Sequence, residues 1–197
     1  MQLLYTSWVW LFGVFATVVF GTLAILTSWI PPRGKIYQYW ARWWSWTLLK
    51  AAGIDVTVES TEGARGVREA IFMANHTSAA DIVVIFVALS RDVRFVAKRE
   101  LFWVPILGWS MWLAGFIPVD RENRRTAIKS FEAAAARIRA GRSVLVFPEE
   151  TRTSDGSLLP FQRGGFLIAL KAGLPIVPVG LDGARRCMAK FSYVVRP

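Results

Sequence analysis

An uncharged, apolar stretch near the start of the chain most limits how this protein can fold. No Asp, Glu, Lys or Arg occurs from Ser7 to Ile30. A stretch of this length exceeds the roughly 20 residues that a helix needs to cross a bilayer. A signal peptide fits less well, because no basic residues precede the run and no small-residue cleavage site ends it. The pattern predicts a membrane-embedded helix over residues 7–30, with a buried core helix as the alternative.

A second segment, residues 36–49, interleaves tryptophan and tyrosine with basic residues, which is typical of a helix lying in the membrane interface. Arg33, Lys35 and Arg42 follow the first helix and no basic residue precedes it. The positive-inside rule therefore places the rest of the chain in the cytoplasm, at the inner membrane. We expect residues 1–50 to be a membrane anchor. Crossing of the bilayer by the first helix is favoured, and a re-entrant hairpin stays open.

Composition favours lipid as the partner of this chain. Hydrophobic residues make up 54% of it, and 24 Lys and Arg against 14 Asp and Glu give a net charge of +10. Aromatic and cationic side chains both favour phospholipid headgroups, so we expect membrane lipids as partners and no nucleic acid. The single cysteine, Cys187, excludes an internal disulfide and a thiolate metal cluster. It is interpreted as a small buried apolar residue rather than a nucleophile.

After Gly53, short apolar runs alternate with helical patterns, which predicts one α/β domain over residues 51–197 with a mixed sheet flanked by helices. The clearest helix is predicted over Thr126–Arg139, ending before Gly141. The predicted strands are Ile54–Glu59, Ala70–Ala74, Val93–Ala97, Phe116–Val119, Ser143–Phe147 and Ile176–Val179.

The only histidine of the chain, His76, follows a predicted strand, and active sites collect at such strand ends. If Ser78 is the N-cap of the next helix, Asp81 is its third residue and can turn back toward the imidazole, fixing its tautomer. His76 would then be a general base. In the competing interpretation Asp81 belongs to a capping box and only satisfies helix-end amides.

Four short blocks follow one another along the chain. The first contains Asn75, His76, Ser78 and Asp81, and the others are Gly115–Arg121, Phe147–Arg152 and Val177–Val179. In residues and order they resemble the four signatures of the glycerolipid acyltransferase family. The best match is the 1-acylglycerol-3-phosphate acyltransferase branch.

This resemblance implies an enzyme in which His76 takes the proton of an acceptor hydroxyl while that oxygen attacks a thioester, with no acyl-enzyme intermediate. The acceptor would be the lysophospholipid 1-acylglycerol 3-phosphate, the product phosphatidic acid, and the donor acyl-CoA or acyl-carrier protein. No metal or other cofactor is implied. The substrate-binding candidates are Arg121 and Arg152 for the phosphate, Glu149 for the glycerol, and Thr151 and Lys98.

Several alternatives stay open. Glu150 stands where the third signature usually has glycine, which keeps lyso-ornithine lipid or glycerol 3-phosphate open as acceptors. Glu149 is open to pairing with Arg152 or Arg163 instead of the substrate. The oxyanion requires donors, and backbone amides near Val119 or Thr77 are both candidates. A catalytically silent, lipid-binding membrane protein is the alternative outside enzymes, and the intact His76 and Asp81 argue against it.

The position of the last block carries a further expectation. Family members commonly continue with another strand and helix after the fourth signature, whereas this chain ends at Pro197. The resemblance therefore implies a domain that is shorter than usual at its C-terminus.

Overall fold

The structure, a computed structural model, describes residues 1–30, 35–60, 67, 69–89, 91–119 and 143–196. The helices are α1 (Gln2–Leu26), α2 (Lys35–Ala51), α3 (Ala80–Ala88), α4 (Leu107–Ala114), α5 (Arg163–Ala172) and α6 (Ala184–Cys187), with a 3-10 helix at Arg99–Trp103. The strands are β1 (Ile71–Ala74), β2 (Val93–Lys98), β3 (Ile117–Val119), β4 (Ser143–Val146) and β5 (Ile176–Val179). The predicted helix Thr126–Arg139, with Gly141 after it, lies outside the described residues.

The five strands form one sheet in the order β3-β2-β4-β1-β5. Every ladder in the described part of the chain is parallel, where the sequence pattern predicted a mixed sheet. All residues of β1 and β4 are buried, as expected of parallel strands covered by helices on both faces. The α/β fold with helices flanking a sheet is confirmed, and five of the six predicted strands are present.

The predicted strand Ile54–Glu59 is wrong within the described residues. This segment carries no strand assignment, and a cavity of about 1030 Å³ is lined on one side by it and on another by β5. Apolar and polar residues do alternate here, as in a half-buried strand, but alternation alone does not supply a neighbouring strand. The segment is therefore extended chain outside the sheet.

Two apolar clusters cover the two faces of the sheet. On one face Phe72, Phe95 and Phe116 pack with side chains of α2, α3 and α4. On the other, Met73 and Val146 pack against α5. The close approach of α5 favours glycine at Gly165, since a Cβ there would lie 3.0 Å from Cγ1 of Val146.

The N-terminal helices pack on each other and on the sheet domain. The indole N–H of Trp44 donates to Oγ1 of Thr17 at 3.1 Å, joining α2 to α1. Near the start of α1, Nε2 of Gln2 donates to the carbonyl of Val195 at 2.6 Å. Near its end, Gly21 lies so close to α4 that a Cβ would be 2.6 Å from Cγ2 of Ile106. The rest of the chain thus contacts α1 close to both of its ends.

Among the described residues, α1 is the one helix long and apolar enough to cross a membrane. Over its most apolar 18 residues the mean hydropathy is 2.3, and only 11% of that stretch is buried. A core helix of a soluble protein would be mostly buried, so the low burial favours contact with lipid. The predicted helices over 7–30 and 36–49 correspond to α1 and α2, with ends shifted by a few residues.

Candidate active site

The candidate catalytic residues lie at the carboxyl edge of the parallel sheet. The loop that follows β1 contains His76, and the loop that follows β4 contains Glu149 and Arg152. Because β1 and β4 are neighbours in the sheet, the two loops meet. Main-chain contact joins them directly, since the N–H of Thr153 donates to the carbonyl of His76 at 2.9 Å. The edge where the strands of an open α/β sheet end is where ligands bind in such folds.

His76 and Asp81 form the contact expected from their spacing. Nδ1 of His76 lies 2.8 Å from Oδ2 of Asp81, and the Asp81 side chain is fully buried. The same carboxylate oxygen accepts the backbone N–H groups of Thr77 at 2.7 Å and Ser78 at 2.9 Å. The Asp81 carboxylate therefore does what both sequence interpretations predicted: it orients the ring of His76 and accepts hydrogen bonds from backbone amides.

This hydrogen bond selects the tautomer of the neutral ring. A carboxylate is acceptor-only, so Nδ1 of His76 must carry the proton that it shares with Asp81. Nε2 is then left unprotonated and can accept a proton. The His76 side chain is 16% exposed and stacks on Phe147, with ring centroids 3.9 Å apart and planes inclined by 16°. The imidazole is thus held by an acid at one atom and by an aromatic face on one side.

Ser78 makes the capping bonds that the spacing suggested, although it lies one residue before the N-cap position that the helix bounds give. Helix α3 begins at Ala80 with Ala79 before it. The Ser78 hydroxyl donates to the carbonyl of Met188 at 2.7 Å and accepts the N–H of Ala80 at 3.0 Å. Since it binds the segment after α6, Ser78 holds the catalytic loop against the C-terminal part of the chain.

Asn75 makes the equivalent connection on the other side of the histidine. Its side-chain amide donates to the carbonyl of Leu181 at 2.9 Å and accepts the N–H of Leu181 at 2.7 Å. The first signature therefore combines one imidazole–carboxylate pair with two side chains that fix the loop.

Glu149 is buried and bonded to two loops. The side chain is 3% exposed, Oε1 accepts the N–H of His76 at 2.7 Å, and Oε2 accepts the N–H of Leu159 at 2.9 Å. These main-chain bonds occupy both carboxylate oxygens. The role of Glu149 in organising the acceptor stays a prediction, and its geometry favours positioning of the His76 main chain.

The remaining substrate-binding candidates lie at the same edge or outside the described residues. Arg152 is half-buried, and among the described residues its guanidinium has no hydrogen-bond partner or ion pair. Oγ1 of Thr151 accepts a hydrogen bond from Nζ of Lys190 at 3.3 Å. Lys98 ends β2 and lies 3.3 Å from Oε1 of Glu100. Arg121 lies outside the described residues. Their roles stay predictions.

Sequence reasoning missed two basic residues beside this loop. Lys190 reaches Thr151, and Arg185 donates to the carbonyl of Ser154 through Nε and Nη2 at 3.2 and 2.8 Å. Neither falls in one of the four blocks. The signal that could have found them is the cluster of basic residues that follows the last block.

Two further details bear on the open alternatives. Glu150 adopts a positive φ of 58°, a conformation that favours glycine, which stands at this position in the signature. The N–H groups of Thr77 and Ser78 are already bonded to Asp81, which counts against these two amides as oxyanion donors, and the amides near Val119 stay a prediction. Burial raises the pKa of the Cys187 thiol, although Arg186 opposes the shift, and a raised thiol pKa argues against a nucleophilic role.

An apolar cavity of about 190 Å³ lies between the N-terminal helices and the sheet. Its lining includes Phe20 of α1, Trp40 of α2, Ile82 of α3 and Phe95 of β2. Ile82 directly follows Asp81, so the cavity reaches the helix that carries the predicted catalytic acid. The larger cavity beside β5 is lined by none of His76, Asp81 and Glu149.

A buried acid that orients one imidazole, at the carboxyl edge of a parallel sheet, suits an enzyme that uses general-base catalysis. The Acyltransferase family model matches residues 55–182, more than half of the chain. This protein belongs to that acyltransferase family.

Two relatives are called 1-acyl-sn-glycerol-3-phosphate acyltransferase. The one from Cocos nucifera is 38% identical over 151 residues, covering 76% of this chain and 48% of the relative. The one from Haemophilus influenzae is 36% identical over 140 residues, covering 71% and 58%. The chain spans about half the length of the curated relatives it matches.

A solved structure shares the fold. The crystal structure of PlsC, the 1-acyl-sn-glycerophosphate acyltransferase of Thermotoga maritima, superposes with a TM-score of 0.82 at 24% identity. The match covers 100% of this chain and 81% of that chain. The sheet, the flanking helices and the N-terminal helical segment are therefore the family's fold.

Proposed function

We propose that this protein transfers a fatty acyl group from a thioester to the sn-2 hydroxyl of 1-acylglycerol 3-phosphate, forming phosphatidic acid. The observation that carries the proposal is the hydrogen bond between Nδ1 of His76 and the buried Asp81, because it leaves Nε2 as a base. The names of the relatives from Cocos nucifera and Haemophilus influenzae support the acceptor.

The reaction proceeds by direct attack. Nε2 of His76 takes the proton of the sn-2 hydroxyl while the oxygen forms a bond to the thioester carbonyl carbon. Asp81 stabilises the imidazolium that results. The tetrahedral intermediate then collapses, the carbon–sulfur bond breaks, and the proton passes to the departing thiolate. Acyl-CoA and acyl-carrier protein both supply such a thioester, and no metal or other cofactor takes part in the proposed chemistry.

The acceptor phosphate is bound by cationic side chains beside the loop after β4. The Arg152 guanidinium presents a planar set of donors suited to phosphate, and Lys190 lies next to Thr151 in the same loop. Arg121 and Lys98, which follow β3 and end β2, are proposed to supplement them. Charge-assisted hydrogen bonds of this kind contribute about 1.5–3 kcal/mol each.

We propose that the acyl chain binds on the side of the sheet that faces the membrane. The cavity of about 190 Å³ is lined by aromatic and aliphatic side chains of α1, α2 and β2, which suits a hydrocarbon chain. We place the enzyme at the inner membrane with the sheet on the cytoplasmic side. Because the rest of the chain contacts α1 near both of its ends, a re-entrant arrangement of α1 and α2 fits better than full crossing of the bilayer.

Product analysis tests the proposal. The purified protein in lipid vesicles is expected to convert 1-acylglycerol 3-phosphate and acyl-CoA or acyl-carrier protein into phosphatidic acid, identified by mass spectrometry. Glycerol 3-phosphate and lyso-ornithine lipid serve as competing acceptors, because Glu150 adds a negative charge near the phosphate site. Acylation of either in preference to 1-acylglycerol 3-phosphate would overturn the assigned acceptor.

The same assay includes Arg152→Ala, with Lys171→Ala on the far end of α5 as a control that removes one charge elsewhere. Loss of a charged hydrogen-bond donor of about 1.5–3 kcal/mol corresponds to a 10–150-fold loss of kcat/KM for the phosphate-bearing acceptor. An uncharged monoacylglycerol should be affected far less. Equal losses with both acceptors would contradict phosphate binding by Arg152.

Glu149→Gln separates positioning from substrate binding. Glutamine keeps one acceptor oxygen but turns an NH₂ group toward the N–H of His76 or Leu159, which displaces the catalytic loop. Displacement of about 1 Å lowers kcat on the order of 10²-fold, with little change in KM for the acceptor. Steady-state kinetics with varied acceptor distinguish the two roles. A raised KM at unchanged kcat would instead assign Glu149 to direct acceptor binding.

A further inference from the structure

The tryptophans of this chain are concentrated in three segments. All 10 lie in α1 with the turn after it, in α2, or between residues 101 and 114. The third segment was not singled out by sequence reasoning. It has no charged residue from Leu101 to Val119, and it contains the end of the 3-10 helix and all of α4.

The outer side of this third segment is exposed. Trp103 is 72% exposed, Trp109 61% and Trp112 67%, and neighbouring apolar side chains share this surface. We call the surface the tryptophan patch; it consists of Leu101, Trp103, Val104, Trp109, Trp112 and Leu113. Three exposed indoles within ten residues are costly in water, so the patch requires an apolar environment.

The inner side of the same segment is fixed to the protein. Met111 and Ala114 are buried in the core on the α1–α2 face of the sheet. Gly108 packs so tightly on the 3-10 helix that a Cβ would lie 2.2 Å from the carbonyl oxygen of Phe102. The tryptophan patch is therefore held in one orientation by a rigid backbone, rather than exposed by a loose loop.

The tryptophan patch belongs to a segment that contacts α1. Helix α4 packs on α1, with Ile106 against Gly21. Helix α1 is itself apolar with only three buried residues, and its Leu11 and Phe15 are 71% and 64% exposed. A helix that is apolar on all sides, as α4 is, favours an apolar environment on every side, and the core supplies one only on the side of Met111 and Ala114.

We propose that the tryptophan patch inserts into the lipid bilayer beside α1, as a second membrane-contacting element of the fold. Indole rings settle at the level of the lipid headgroups, which suits a short helical hairpin carrying three of them. Lys98, whose side chain is 57% exposed, lies three residues before Leu101 and can contact anionic headgroups beside the inserted segment. Insertion also brings the cavity, which Leu101 and Met111 line, next to the acyl chains of the membrane.

A site-specific probe tests this insertion independently of α1. Trp109→Cys in a Cys187→Ser background is labelled with an environment-sensitive fluorophore and bound to phosphatidylcholine–phosphatidylglycerol vesicles. Leu170→Cys is the matched control, since Leu170 is 78% exposed on α5, which covers the opposite face of the sheet. Doxyl-labelled lipids should quench the probe at 109 and not the probe at 170, whereas aqueous iodide should quench only the latter.

Two outcomes would overturn the proposal. Iodide quenching at position 109 that equals that at 170 in the presence of vesicles would show that the patch stays in water. Shielding of position 109 that requires no vesicles and grows with protein concentration would assign the patch to a second copy of the chain. A Trp→Ser triple variant at 103, 109 and 112 is expected to keep its fold and to bind vesicles several-fold more weakly than wild type.

Discussion

His76→Ala is expected to lower kcat for acyl transfer by about 10²–10⁴-fold, the contribution that a positioned general base makes. The imidazole is the one candidate of its kind, because the chain has a single histidine. Its Nδ1 is bonded to Asp81, so the proton of the acceptor hydroxyl can be taken only by Nε2. Alanine at this position removes that nitrogen and supplies no other proton acceptor.

The His76→Ala variant should fold and bind membranes as wild type does. The ring is stacked on Phe147, and loss of one aromatic pair costs about 0.5–1.5 kcal/mol beyond the lost burial. Circular dichroism and vesicle flotation provide the controls. Transfer at the wild-type rate by a correctly folded His76→Ala protein would show that another group is the base.

Asp81→Ala is expected to be as damaging as loss of the histidine, on the order of 10⁴-fold in kcat. It removes the oxygen that fixes the ring of His76 and that accepts the N–H groups of Thr77 and Ser78. Each buried donor left without a partner also costs about 1–3 kcal/mol, so the melting temperature should fall.

Asp81→Asn separates orientation from charge. An asparagine oxygen in the same place still accepts all three donors, whereas the negative charge that stabilises the imidazolium is gone. The kcat should therefore fall from wild type to Asp81→Asn, and again from Asp81→Asn to Asp81→Ala. The second step should be at least about tenfold, which corresponds to about 1.4 kcal/mol. Equal activity of wild type and Asp81→Asn would show that the carboxylate charge plays no part.

The strand ends could be predicted from sequence because short Val- and Ile-rich runs and the spacing of His76 and Asp81 are local features. The bonds of Asp81 to backbone N–H groups could also be predicted, since the sequence around Asp81 fits both a capping box and a catalytic pair. The prediction that was wrong depended on a non-local contact. The segment Ile54–Glu59 has the alternation of a strand, but a strand exists only where another chain segment lies beside it.

The site shows the same division. That Glu149 lies near His76 follows from neighbouring parallel strands, yet its bonds to the N–H groups of His76 and Leu159 depend on how two loops meet. The contribution of Lys190 depends on the C-terminal segment folding back onto the loop that contains Thr151. The tryptophan patch was missed because its uncharged run is broken by Pro105 and Gly108 and therefore lacks the length of a membrane helix.

The protonation state of the single imidazole tests the central claim most directly. Because His76 is the only histidine, ¹⁵N labelling of histidine gives one ring whose two nitrogen shifts report the tautomer without assignment. We expect the neutral ring to carry its proton at Nδ1 and none at Nε2, and this preference should be lost in Asp81→Ala. A neutral ring protonated at Nε2 in the wild-type protein would contradict it.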